Sequence, residues 1–271
     1  MNETVQDTNG ISAMLDTTMR QFFLPLGEPG KSWPTSAQRV TVTMQTPTHW
    51  LEGPQLELVA HCIGQGPAVL LVHGWQSQGA DLLAMAQVIA AKGYSVWVPD
   101  MPAHGHSQGS LLSIPLAALA LLQWQQHVGG FVAAIGHSVG GACVVHALTQ
   151  GLCAEKVVLI ASPTHFGRHV RSIAESLGFP LSYMPLLLQK MEHAMGVAPD
   201  AIDMLQQAQT LAQQPLFIHA PDDKVVAYAH TERVARAWPG ARWQAVAGLG
   251  HFRIVQDAQV HQLLLQMLQD A

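Results

Sequence analysis

Apolar residues in this chain gather into short unbroken runs rather than alternating with polar ones. Residues 68–72, 131–135 and 157–160 are such runs, and 94–98 and 215–219 depart from them only at Ser95 and His219. Their length, their β-branched content and the turn formers around them mark strands buried on both faces, as in a parallel sheet. Residues 242–246 form a further strand. Between the strands the apolar positions switch to helical spacing over 81–92, 115–128, 231–238 and 255–268, with Gly93 as a stop for the first. Ahead of them, 39–44 and 56–60 are β-branched and partly alternating, which predicts an antiparallel edge pair. Strands alternating with helices predict an α/β fold, a mostly parallel twisted sheet with helices on both faces.

The rhythm breaks twice. Residues 162–214 hold no strand candidate; they read as helical, with Met184, Met191, Met195 and Met204 and prolines at 180, 185 and 199. This predicts a small helical insertion capping the sheet. Residues 1–35 show no clear period and read as a mobile lead-in, with Arg20-Gln21-Phe22-Phe23-Leu24 able to dock on the domain. The expected division is a lead-in over 1–35, a core over 36–161 and 215–271, and a cap over 162–214.

Composition narrows the class. A chain of 271 residues with 49% hydrophobic and 11% charged residues has the material for one large two-sided core. The net charge of −5 gives no steering towards nucleic acid or an anionic membrane. Cys62, Cys143 and Cys153 are an odd number set in apolar runs, which predicts free buried thiols in a reducing, cytoplasmic compartment. The first residues lack a basic patch followed by an apolar run, and no apolar run is long enough to span a bilayer, so neither a signal peptide nor a transmembrane helix is expected.

Chemistry enters at Gly136-His137-Ser138-Val139-Gly140, which follows the 131–135 strand and opens a helical stretch. A strand, a sharp turn and a helix give a G-x-S-x-G match its meaning, because the turn lifts the serine hydroxyl clear of the sheet. Gly136 and Gly140 leave room where a Cβ would collide, and the helix start aims backbone N–H groups at charge developing on Ser138. A serine hydroxyl needs a base, usually histidine, and the histidine needs an orienting carboxylate. Asp222 and Asp223 follow the 215–219 strand, and His251 follows the 242–246 strand. Strand ends of this kind present side chains to a common crevice.

Taken in order, His73-Gly74-Trp75, the loop from Asp100 to Ser107, the Ser138 elbow, Asp222-Asp223-Lys224-Val225-Val226 and Gly250-His251-Phe252 resemble the α/β-hydrolase superfamily, in its branch of small serine hydrolases with a helical cap. The resemblance covers the chain from about Pro67 to its end. It implies Ser138 as nucleophile, His251 as base and Asp223 as the orienting acid, with Asp222 one residue away as the alternative. It also implies an oxyanion hole from the backbone N–H groups of Trp75 and Val139. No cofactor or metal is implied. The activity implied is hydrolysis of a carboxylic ester through an acyl-enzyme, and the partner is a small-molecule ester or related acyl substrate. The charge-poor insertion suggests an uncharged one. A carbon–carbon bond hydrolase, a thioesterase, an acyltransferase and a perhydrolase share the same triad, and a non-catalytic binding protein shares the scaffold.

Other candidates read as structural. The resemblance implies that His73 and His104 hold their loops by hydrogen bonds, and Asp100 is expected to fix its own loop. His104-Gly105-His106 lacks the partners of a zinc site. His165 and His169 read as surface histidines, and Cys143 as a core thiol.

Overall fold

A computed structural model describes residues 2–26, 29–46 and 53–270. In chain order the elements are α1 (Asn2–Phe23), β1 (Gln38–Gln45), β2 (Gln55–Ile63), β3 (Ala68–Val72), α2 (Leu83–Ala90), β4 (Ser95–Pro99), α3 (Ile114–Val128), β5 (Phe131–His137), α4 (Val139–Thr149), β6 (Ala154–Ile160), α5 (Phe166–Ser176), α6 (Met184–Met195), α7 (Met204–Gln207), β7 (Leu216–His219), α8 (Tyr228–Ala237), β8 (Arg242–Ala245) and α9 (Ala258–Gln269).

The eight strands form one sheet in the order β1-β2-β4-β3-β5-β6-β7-β8. β2 runs antiparallel to both β1 and β4, and every pairing from β4 through β3 to β8 is parallel. The two-residue period of a strand sends neighbours to opposite faces, and β3 shows the consequence. Val69 and Leu71 pack with Met85, Ile89 and Leu264 on one side. Leu70 and Val72 pack with Leu116, Trp124 and Val144 on the other. Both faces are therefore covered, which is why these strands read as unbroken apolar runs.

Local signals close α3 within a residue of the predicted span, whereas α2 ends at Ala90, short of the Gly93 stop. Ser113 caps α3 by accepting from the Leu116 N–H, and Gly129 closes it at φ 92°. The insertion between β6 and β7 is helical, and Leu187, Met191, Met195 and Met204 are buried in it. These side chains belong to the same apolar cluster as α3 and α4.

The lead-in is where the expectation fails. Within 1–35, Met1 and residues 27–28 lie outside the described residues, but Asn2–Phe23 is a helix of 22 residues. Leu15, Met19 and Phe23 are buried against the core, with Ile11, Met14 and Phe22 packed at the edge. The positions fall at helical spacing from Ile11 onwards, so a stripe was present. It was diluted by intervening threonines and polar residues, and only the groove between core and cap gives it something to cover. An ion pair between Asp16 and Lys190 of α6, at 2.5 Å, ties the helix to the cap.

Candidate active site

Ser138 sits between the end of β5 and the start of α4 with φ 53° and ψ −130°. This is a conformation that a side-chain-bearing residue holds only when its surroundings enforce it. They do so through close packing. A Cβ on Gly136 would lie 2.5 Å from the Gly141 backbone, and one on Gly140 would strike the carbonyl oxygen of His73. A Cβ on Gly74 would come within 3.0 Å of the Ser138 Cβ. The Ser138 N–H donates to the carbonyl oxygen of Ile160 at 2.8 Å, which pins the elbow to β6.

Three distant segments converge here. The Ser138 hydroxyl lies 3.0 Å from His251 Nε2. His251 Nδ1 donates to Asp223 Oδ2 across 2.7 Å. Asp223 Oδ1 in turn accepts from the N–H groups of Val225 (2.7 Å) and Val226 (2.9 Å), and Oδ2 accepts a second imidazole donor, His219 Nε2, at 3.0 Å. Burial pushes this carboxyl up, but the hydrogen bonds from His219, His251 and Val226 outweigh burial and hold it well below the usual carboxylate range. Asp222 points elsewhere: its carboxylate accepts from the Gly248 N–H at 2.8 Å.

The loops around Ser138 are fixed by the groups the sequence reading gave to that task. His73 Nδ1 donates to the Gly74 carbonyl oxygen (2.8 Å) and its Nε2 accepts from the Met101 N–H (3.0 Å). Asp100 accepts from the N–H groups of Gly79 (2.7 Å) and His106 (2.9 Å). His104 accepts from the Gln76 N–H and donates to the Pro102 carbonyl oxygen. Together they hold Trp75 beside Ser138, and the Trp75 N–H has no hydrogen-bond partner among the described residues. Val139 opens α4, where backbone N–H groups have no partner within the helix.

A cavity of about 670 Å³ opens above Ser138 and His251. α1 and the segment after it contribute Phe22, Leu24 and Leu26; the cap contributes Phe166, His169, Ile173 and Leu177; the core contributes Trp75, Leu112 and Ile114. Leu26, Leu177, Val225 and Phe252 line this cavity and are also among the large apolar side chains most exposed to solvent, at 79%, 53%, 44% and 70%. The mouth is therefore largely apolar, with Arg20, Gln21 and Gln76 as its polar members.

Two expectations need correction. His169 is not a surface histidine: it lines the cavity, half-buried, and burial pushes its pKa down to about 4. His165, four residues earlier, caps α5 by accepting from the Arg168 N–H. Cys153 is exposed, because it stands in the turn before β6, while Cys62 and Cys143 are buried. Burial raises the Cys143 thiol well above its ordinary range.

Three groups escaped the sequence reading. His137 donates from Nε2 to the His251 carbonyl oxygen at 2.9 Å. His219 reaches Asp223, and α1 walls the cavity. The spacing of His219, four residues before Asp223 at a strand end, was a visible signal; His137 offered none beyond its place in the elbow.

This is a doubly covered α/β sheet with a serine elbow, a histidine and a carboxylate at neighbouring strand ends, which is the arrangement of a hydrolase scaffold. The chain belongs to the alpha/beta hydrolase family, whose model matches residues 69–263. A pimeloyl-[acyl-carrier protein] methyl ester esterase of Vibrio cholerae is 35% identical over 105 residues, covering 38% of this chain and 40% of that protein. The chain thus spans about two fifths of the length of that curated relative. An esterase from Pyrococcus furiosus shares the fold with a TM-score of 0.70 at 17% identity, covering 91% of this chain and 98% of that one. A thermophilic esterase from Thermogutta terrifontis does so with a TM-score of 0.64 at 20% identity, covering 86% and 98%. Among the described residues no helix is long and apolar enough to cross a membrane.

Proposed function

We propose that this protein is a serine hydrolase that cleaves a carboxylic ester of an uncharged, small to medium substrate through an acyl-enzyme. The observation that carries this reading is the unbroken chain from Ser138 to His251 (3.0 Å) to Asp223 (2.7 Å) at the base of an apolar cavity. His251 takes the hydroxyl proton as Ser138 Oγ attacks the ester carbonyl. Asp223 holds the imidazole in the Nδ1–H tautomer and stabilises the imidazolium that forms. The N–H groups of Trp75 and Val139 receive the developing oxyanion, where each donor lowers the barrier by about 3 to 4 kcal/mol. His251 then protonates the leaving alcohol, and water releases the acid by the reverse sequence. None of these steps calls for a cofactor or a metal.

The apolar rim of Leu26, Leu177, Val225 and Phe252 supports an uncharged, apolar substrate, since such a surface gains by covering hydrocarbon. The ester named for the Vibrio cholerae relative supports a carboxylic ester as the bond cleaved. The test is labelling with a fluorophosphonate probe beside a series of p-nitrophenyl esters of graded chain length. Labelling at Ser138 with turnover of the esters is expected. A protein that hydrolyses thioesters or dienones but not the oxygen esters, or whose Ser138 stays unlabelled, overturns the reading.

A further inference from the structure

Asp223 Oδ2 accepts two imidazole N–H donors at once, His251 Nδ1 at 2.7 Å and His219 Nε2 at 3.0 Å. His219 and Asp223 are fully buried at the end of β7 and the loop after it. The other ring nitrogen of His219, Nδ1, is buried with no hydrogen-bond partner among the described residues. The proton of this ring therefore sits on Nε2, directed at the carboxylate. A buried polar atom left unpartnered is destabilising, and a phenyl ring of similar size would avoid it. The packing around the ring, from Tyr228 at 5.7 Å and Trp243 at 6.4 Å, asks only for an aromatic.

We propose that His219 is a positioning residue for the reaction, extending the relay to His219–Asp223–His251–Ser138. The inference rests on the triad reading given above. Two effects follow from sharing one oxygen. The His219 N–H fixes the rotation of the carboxylate, so that Oδ2 stays aimed at His251. It also takes up part of the negative charge that the shared oxygen directs at His251. Removing His219 therefore misaligns the acid and leaves its charge undivided on His251. The charged and titratable groups that face His251 are Asp223, His137 and His169; those facing His219 are Asp223 and Tyr228. Among the described residues none of the others donates to Oδ2.

The experiment compares kcat and KM across pH 5 to 9 for the wild-type protein, His219→Phe, His219→Gln and Ser138→Ala, using one p-nitrophenyl ester. In His219→Phe, kcat falls about tenfold with KM little changed, and the acid limb of kcat/KM moves to higher pH by about half a unit to one unit. In His219→Gln, whose amide N–H reaches the same carboxylate oxygen, the limb returns towards the wild-type position. Thermal melting of each variant separates these effects from a loss of fold. An acid limb that stays in place in a folded His219→Phe protein, or a Gln variant no better than Phe, overturns the proposal. Turnover surviving in Ser138→Ala overturns the triad reading instead.

Discussion

His137 donates a hydrogen bond from Nε2 to the backbone carbonyl oxygen of His251, across 2.9 Å and 114 residues of chain. The elbow thereby holds the backbone of the residue that faces its own serine. Burial, followed by the nearby His251, pushes the His137 pKa down to about 3, so the ring serves as an uncharged donor across the working range.

Replacing that donor should loosen the imidazole without touching it. In His137→Leu the His251 carbonyl is left buried and unpaired, at about 1 to 3 kcal/mol of stability. The turnover number should fall by roughly ten- to a hundredfold, because a small displacement of the base is enough to lose that much. An unchanged kcat in a folded His137→Leu protein would show that the loop holds His251 by other means.

The two neighbouring aspartates should behave very differently. Asp223→Asn removes the charge that orients and stabilises His251, and should lower kcat by about 10³- to 10⁴-fold. Asp222→Asn keeps an oxygen for the Gly248 N–H and should cost less than tenfold. Equal losses, or the reverse order, would move the acid to Asp222.

Acid should unfold this protein early. In the unfolded chain the imidazoles of His104 and His137 take up protons below roughly pH 6.5. In the fold, burial holds them uncharged down to about pH 4 and about pH 3. Between those limits the unfolded state binds more protons, so stability rises with pH and is lost on acidification. Each such histidine contributes a slope of up to about 1.4 kcal/mol per pH unit. Urea midpoints at pH 7 and pH 5 measure this directly, and equal midpoints would refute it.

α1 should matter to both fold and specificity. Phe23→Ala removes a buried ring that joins the helix to the core, at about 3 to 5 kcal/mol. Phe22, on the cavity side, should act on binding: Phe22→Ala should raise KM for longer acyl chains about fivefold, with acetyl esters little affected. A uniform change across chain lengths would place the acyl chain away from α1.

The Ser138 elbow, the strand-end positions of Asp223 and His251, and the loop duties of His73, Asp100 and His104 were all legible before any coordinates. The elbow and the strand ends depend on residue type within a local turn, which neighbours in sequence decide, whereas the duties of His73 and His104 were implied by the family resemblance. The preference for Asp223 over Asp222 came from the family resemblance and not from the loop itself, since both aspartates stand in it. Only folding shows that the Val225 and Val226 N–H groups and two imidazoles meet the second carboxylate.

The sequence by itself determined a mostly parallel α/β sheet, a helical insertion and the strand-end placement of Ser138, Asp223 and His251, because runs of apolar residues and glycine-bearing turns act over a few positions. The tertiary structure alone decided that α1 becomes a wall of the cavity, that His169 faces inward, and that His137 and His219 donate to the His251 carbonyl oxygen and to Asp223. Those facts depend on surfaces brought together from far along the chain: the stripe on α1 acquires its partner only when core and cap are both folded, and an imidazole shows its task only when the oxygen it donates to has arrived.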